Sequence, residues 1–136
     1  MSRLWVIQIL EREGFIYESK SLFPLNLKPI KRVDASIMPK AYQSYDSRNL
    51  SQRLFLLFLS RMIEKERING SFDQLILVAP PNILKALEQK LDIVTQCFIV
   101  GSITQDLKNN EPYKLERAVT EIVERNSLHP VASSFY

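Results

Sequence analysis

Cysteine and histidine are almost absent from this chain of 136 residues, which contains one of each, Cys97 and His129. A single cysteine cannot form a disulfide framework, and a zinc site needs several cysteine, histidine or carboxylate ligands that converge. Cys97 opens the apolar run Cys97–Val100, which we expect to be a strand, so it is predicted to be a small buried core residue. His129 is too isolated to anchor a catalytic triad. We therefore predict no metal ion and no catalytic residue.

Glycine is also scarce, and long apolar runs are missing. The three glycines, Gly14, Gly70 and Gly101, are too far apart to build a phosphate-binding loop or a dinucleotide fingerprint, so no cofactor is predicted. The longest apolar run, Leu54–Leu59, is far shorter than the roughly 20 residues that a membrane-spanning helix needs. The apolar stretch Leu4–Leu10 lacks a small-residue cleavage site and runs into charged residues, which argues against a signal peptide. We expect a cytoplasmic protein with no membrane segment.

Hydrophobic side chains are present in ordinary amounts, at 46% of the residues, with 10% aromatic and 24% charged residues. This composition is typical of a globular protein, and the length fits one hydrophobic core. We predict one domain over residues 1–126 and a C-terminal tail over residues 127–136.

The first apolar segments predict strands. Leu4–Leu10 is almost continuously apolar, as in a central strand covered on both faces, and Phe15–Lys20 alternates like the second strand of an antiparallel hairpin. A third strand, from about Leu25 to Val33, contains Pro29 and follows Pro24, and prolines remove donors from the hydrogen-bond ladder. We therefore place the third strand at an edge of the sheet.

The remainder of the chain predicts helices that alternate with strands. The apolar residues of Asp34–Arg48 show neither helical nor strand spacing, so we interpret this segment as a long loop and as the first place to look for function. We predict a helix from Asn49 to about Arg67 that has two apolar stripes. The sheet can cover only one of these stripes, so a second helix or a partner subunit should cover the other. A homodimer through residues 49–67 is one such arrangement. Strands at Leu75–Ala79 and Cys97–Val100, each followed by a helix, complete a mixed sheet with helices packed on it.

Positive charge is modest overall, with a net charge of +3, but it is unevenly distributed. Seven basic residues and two acidic ones lie between Lys28 and Arg61. Such a segment attracts phosphate backbones or acidic partners, although a solvated loop whose lysines keep the chain soluble has the same pattern. Asp106 is a further candidate because it follows the carboxyl end of a strand, where open α/β sheets bind ligands; a turn residue is the other interpretation.

One stretch of sequence resembles a known family. The sequence FDQLILVAPP at residues 72–81, followed by Ile83, Leu84 and Leu87 and by Ile103–Leu107, resembles the bacterial family named "protein required for attachment to host cells". That family is similar in turn to the middle domain of the eukaryotic and archaeal peptide-chain release factors. The resemblance, which covers Leu4–Val123, implies a single-domain α/β fold of the ribonuclease H-like type, with a mixed five-stranded sheet of three antiparallel strands followed by two parallel ones, and about three helices.

The resemblance also locates a loop. In release factors, the loop between the third strand and the long helix carries a Gly-Gly-Gln sequence that enters the peptidyl transferase centre. The corresponding segment here is Lys40–Arg48, in which Gln43 matches the glutamine but Ala41 and Tyr42 replace the two glycines. Glycine reaches backbone conformations that a Cβ atom penalises, so peptidyl-tRNA hydrolysis is not expected. Nucleases of the ribonuclease H type need clustered carboxylates for two metal ions, whereas the only polar side chain of the first strand is Gln8.

Two hypotheses about function remain. The favoured one is a non-catalytic binding or adaptor domain that contacts RNA, the ribosome or an acidic partner through the basic segment 28–53. The alternative is a hydrolase that acts on a tRNA ester or a related substrate through the same loop. The family name adds a role in attachment to host cells, which we interpret as a phenotype label because nothing in the chain looks secreted or adhesive. The residues predicted to bind the ligand are Lys31, Arg32, Lys40, Tyr42, Gln43, Arg48, Arg53 and Asp106.

Overall fold

Five strands form one mixed sheet in the computed structural model, which describes residues 3–43, 48–104 and 112–128. In chain order the strands are β1 (Leu4–Leu10), β2 (Glu13–Ser19), β3 (Lys28–Val33), β4 (Gln74–Ala79) and β5 (Ile99–Thr104). Their spatial order is β3-β2-β1-β4-β5. β2 is antiparallel to both β1 and β3, whereas β4 is parallel to β1 and to β5. The predicted α/β fold class, with three antiparallel strands followed by two parallel ones, is confirmed.

Three long helices and several short helical segments accompany the sheet. In chain order the helices are α1 (Lys40–Gln43), α2 (Arg48–Ile68), α3 (Pro81–Lys90), α4 (Ile93–Gln96) and α5 (Pro112–Leu128), and a 3₁₀ helix spans Ala35–Ile37. The three helices of ten residues or more agree with the expected number of about three. The long helix predicted from Asn49 to about Arg67 is α2, and α3 packs beside it, so a second helix covers part of its apolar surface as expected.

The central position of β1 follows from its sequence. Because β1 has neighbours on both sides and helices above and below, both of its faces need apolar side chains. Trp5, Ile7 and Ile9 belong to the core cluster that contains side chains of α2 and α3. Leu4 and Val6 belong to a second cluster, on the face that α5 covers. The sheet is therefore the shared wall of two apolar cores.

Two glycines have a definite structural role. Gly70, two residues after the end of α2, has φ +75°, and its N–H donates to the carbonyl oxygen of Arg67 at 3.0 Å in the turn that ends the helix. Gly101 lies on β5 under α5, where a Cβ atom would be only 2.7 Å from Cγ2 of Ile122. The missing side chain at position 101 thus lets α5 approach the sheet closely.

The segment predicted as a long loop, Asp34–Arg48, is partly helical, so that prediction was wrong in part. The side chain of Asp34 accepts a hydrogen bond from the Ser36 N–H and caps the 3₁₀ helix, and α1 follows after Pro39. Met38 between them is almost completely buried in the core beneath α2. Short capped turns of this kind have no helical period that a sequence pattern could show.

The prediction for Cys97 was also wrong. β5 begins at Ile99, and Cys97 lies exposed in the turn after α4. The cause is the unpredicted helix α4, whose N-terminus is capped by the Asp92 side chain accepting from the Thr95 N–H at 2.7 Å. At the other edge, β3 begins at Lys28 rather than at Leu25, because Leu25 and Leu27 pack as part of a loop against the α5-side core.

The C-terminal tail predicted at residues 127–136 lies largely outside the described residues, as does His129; residues 127 and 128 are the last of α5. Within the described ranges, no helix is long and apolar enough to cross a membrane.

Candidate nucleic-acid interface

The 3₁₀ helix and α1, which follow β3, lie on the side of the sheet that α2 covers. The 3₁₀ helix and α1 both contact α2. In α1 the Tyr42 N–H donates to the carbonyl oxygen of Pro39 at 2.9 Å, and the Tyr42 ring lies 5.9 Å from the ring of Phe58 in α2, tilted by 35°. Tyr42 is therefore held against α2 although 37% of it is exposed.

The beginning of α2 is tied to the turn between β1 and β2. Arg12 donates through Nη1 to Oγ of Ser51 at 3.1 Å, and Ser51 is buried. Gln52 donates through Nε2 to the carbonyl oxygen of Glu11 at 3.4 Å, and Glu11 has φ 49°, a left-handed conformation that is uncommon outside glycine. Both contacts place the first turns of α2 above the carboxyl end of β1.

A shallow cleft of about 690 Å³ opens next to this turn. It is lined by residues 10–13 with Arg32, Asp34 and Ala35. Arg32 forms salt bridges there with Glu13 and, at 3.2 Å, with Asp34. The hydrogen bond from Arg32 to Glu13 raises the pKa of the Arg32 guanidinium, while hydrogen bonds from Ser36 and then the charge of Arg32 lower the pKa of Asp34. The charge of Arg32 is thus matched by two carboxylates of the chain itself.

Three other cations of the predicted site differ from Arg32 in their surroundings. Lys31, Lys40 and Arg53 are exposed, and none of them forms a salt bridge with another described residue. Lys31 pairs with Ile16, which belongs to the core under α2, so Lys31 is on the α2 side of the sheet. Arg32 pairs with Phe15 and is on the opposite face.

The structure therefore brings four of the predicted residues, Lys31, Lys40, Tyr42 and Arg53, to one side of the molecule and separates Arg32 from them. Of Gln43 and Arg48, the structure describes only the backbone, at the end of α1 and the start of α2. Asp106 lies outside the described residues.

Sequence reasoning missed two residues of this surface, Phe58 and Arg61. The guanidinium carbon of Arg61 lies 5.8 Å from the centre of the Phe58 ring, within range of a cation–π interaction. The signal was available in the sequence, since an aromatic residue and an arginine three positions apart meet on one face of a helix. Phe58 therefore contacts Tyr42 and Arg61, and we call these three residues the aromatic–arginine cluster.

The surface offers exposed cations, the partly exposed Tyr42 and the half-buried ring of Phe58, and the first sixteen residues of α2 contribute no acidic side chain. Residues 48–63 contain no aspartate or glutamate, so the first acidic residue of α2 is Glu64. Among the residues that the structure describes, no three histidine, cysteine or carboxylate side chains group in a way that could hold a metal ion. The chemistry available here is the binding of anions and of flat aromatic groups.

The known proteins that are similar to this chain come from solved structures and from one sequence family. No curated protein matches the chain. Among solved structures, an archaeal protein and an archaeal translation termination factor are each similar with a TM-score of 0.48 and 10% sequence identity over 97% of this chain. A Ppx/GppA phosphatase from Aquifex aeolicus matches 78% of the chain with a TM-score of 0.38 and 16% identity, covering 37% of the phosphatase. The chain spans only about two fifths of the two archaeal proteins, 41% and 42% of their lengths.

A family model identifies the sequence family of the chain. The family described as "Bacterial archaeo-eukaryotic release factor family 12" matches residues 31–119, which is well over half of the chain and runs from the second half of β3 to the first half of α5. The predicted resemblance to the release factors is confirmed by this match. The chain belongs to the bacterial archaeo-eukaryotic release factor family 12.

Proposed function

We propose that this domain is a translation-related binding module that contacts RNA on the ribosome through the exposed cations on its α2 side. The observation that carries the proposal is the placement of Lys31, Lys40 and Arg53 on that side without salt bridges to any other described residue. Phosphate groups attract such cations without requiring a particular base sequence. Membership of a release factor family is the second support.

Arg32 is not part of the proposed interface, although its sequence position is next to Lys31. It lies on the other face of β3 and already contacts two carboxylates, so binding phosphate would mean giving up those salt bridges. The proposal is of binding without catalysis. Attachment to host cells and a homodimer through residues 49–67 stay predictions that this proposal does not need.

The test is binding of the purified chain to ribosomes and to single-stranded RNA over a series of salt concentrations. The variant replaces Lys31, Lys40 and Arg53 by glutamine, and the control replaces Lys114, Arg117 and Arg125, three exposed cations of α5 on the other side of the sheet, by glutamine. Each phosphate contact with a single strand adds about 0.7 to the slope of log K against log salt. We expect the interface variant to bind more weakly, with a slope smaller by about 2, and the control variant to bind like the original chain.

Two results would contradict the proposal. If neither ribosomes nor RNA bind at low salt, the cations serve solubility only. If the control variant loses as much affinity as the interface variant, the binding reflects net charge rather than this surface.

A further inference from the structure

Aromatic side chains among cations point to more than phosphate binding. We infer that the aromatic–arginine cluster, Tyr42, Phe58 and Arg61, is a stacking site for a base of single-stranded RNA. This inference rests on the proposed function and names the part of the RNA that the surface recognises. It begins from Tyr42 in the four-residue helix α1, which is 37% exposed although its ring packs against Phe58.

The ring of Tyr42 is supported from behind. Phe58 is half-buried against the core under α2, and its ring lies 5.9 Å from that of Tyr42. Arg61 in turn lies over Phe58 at 5.8 Å. A supported ring loses little conformational freedom when a base stacks on it, and a guanidinium plane can also stack on a base.

Two further exposed cations of α2, Arg53 and Lys65, lie on either side of Arg61 along the chain. Arg53, Arg61 and Lys65 are exposed and are separated by eight and four residues, so they lie along one i+4 ridge, which turns about 120° around α2 between Arg53 and Lys65. At 1.5 Å per residue the ridge spans about 18 Å of the helix axis. A base on Tyr42 would thus have its phosphate backbone beside a line of positive charge, the arrangement by which proteins hold single strands without strong sequence preference.

Single-stranded RNA fits this surface better than a second copy of the chain. Two copies meeting through α2 would bring Arg53 and Arg61 of each molecule towards the same cations of the other, and like charges at an interface are costly. An RNA strand carries negative phosphates and aromatic bases together, so it matches both kinds of side chain. In a duplex the bases are stacked on one another and their faces are not accessible.

The experiment compares two oligoribonucleotides of twelve nucleotides, oligouridine and an abasic strand with the same phosphates, by fluorescence anisotropy at several salt concentrations. We expect the chain to bind oligouridine roughly 5- to 160-fold more tightly than the abasic strand, the range expected for one stacked base. Tyr42→Ala should remove this difference without changing the salt dependence, while Tyr42→Phe should keep it. Ile68→Ala removes another exposed apolar side chain of α2 and serves as the control.

The outcomes separate this inference from the proposed function. Equal, salt-sensitive binding of both strands would overturn the stacking site and leave RNA binding intact, whereas absence of binding to both would overturn the two together. Loss of the difference in Tyr42→Phe as well as in Tyr42→Ala would show that the ring is not what matters. Unchanged RNA binding in Tyr42→Ala, with a shift of the sedimentation coefficient towards the monomer, would assign the surface to self-association instead.

Discussion

Residues of one type have different surroundings in this molecule, and arginine shows this best. Arg12 donates a hydrogen bond to buried Ser51, Arg32 forms salt bridges with Glu13 and Asp34, and Arg53 is exposed without a salt bridge among the described residues. Of these three, only Arg53 can bind an external anion without losing a hydrogen bond or a salt bridge to another described residue. A count of charges along the sequence treats all three alike.

A single-residue prediction concerns Gly101. Gly101→Ala would put a Cβ atom 2.7 Å from Cγ2 of Ile122, so α5 or the side chain must shift. Overpacking of this kind costs about 1–3 kcal/mol, and we expect the free energy of unfolding from urea denaturation to fall by that amount. Ser102→Ala, at an exposed position of the same strand, should change it by less than about 0.5 kcal/mol.

The cause can be checked with a second substitution. Ile122→Ala removes the atoms that a Cβ at position 101 would meet, so the double variant should be less destabilised than the sum of the two single variants. Strict additivity would mean that the cost of Gly101→Ala arises from backbone conformation and not from the close approach of α5.

At the scale of elements, long and short helices differ in how well the sequence predicts them. The apolar side chains of α2, α3 and α5 recur at helical spacing, because each helix buries one face against the sheet. The two four-residue helices α1 and α4 are too short to show a period, and isolated single turns are unstable by themselves. Their capping and tertiary contacts hold them, as Asp92 does for α4.

Asp92 leads to a prediction about pH. Hydrogen bonds from Thr95, followed by the charge of Arg67 at 3.8 Å, lower the pKa of Asp92 in the folded chain. A lowered pKa means that the carboxylate contributes its full stabilisation above its unfolded pKa of about 4 and loses it as the pH falls through the folded value. Asp92→Asn keeps an oxygen that can cap α4 but does not titrate in this range.

We therefore expect the original chain to lose more stability than Asp92→Asn when the pH is lowered from about 6 to about 3. The measurement is the free energy of unfolding from urea titrations at each pH. Parallel losses in both proteins would show that other carboxylates, and not Asp92, account for the acid sensitivity.

At the scale of the whole molecule, one sheet separates two apolar cores and joins their stabilities. Trp5 lies 5.3 Å from Phe72 in the core on the α2 side, while Val119 of α5 is fully buried in the other. Because β1 contributes side chains to both clusters, we expect the two cores to unfold together.

Val119→Ala tests this coupling. Removing two buried methyl groups should lower the free energy of unfolding by about 2 kcal/mol. The urea midpoint should shift equally whether unfolding is followed by Trp5 fluorescence or by far-ultraviolet circular dichroism, although Trp5 is in the other core. An unchanged fluorescence midpoint beside a shifted dichroism midpoint would show that the α5 side unfolds alone.

The existence of the five strands, the long helix and the mixed sheet were predictable from the sequence, because each depends on a local pattern of apolar side chains, whereas the starts of β3 and β5 were predicted too early. Leu4–Leu10 requires cover on both faces wherever it lies, and the resemblance to the release factors then supplied the order of the strands. The environments of polar and small residues were not predictable in the same way. Cys97 is exposed because α4 intervenes before β5, and Arg32 and Lys31 are on opposite faces because β3 pairs with β2 in one particular register.

The same distinction between local pattern and tertiary packing applies to the candidate site. The sequence by itself determined that positive charge concentrates between Lys28 and Arg61. Only the tertiary structure decided that Tyr42 meets Phe58, sixteen positions away, and that Arg32 is already paired. The physical reason is that charge and hydrophobicity belong to single residues, whereas contacts and exposure depend on which distant segments the packing brings together.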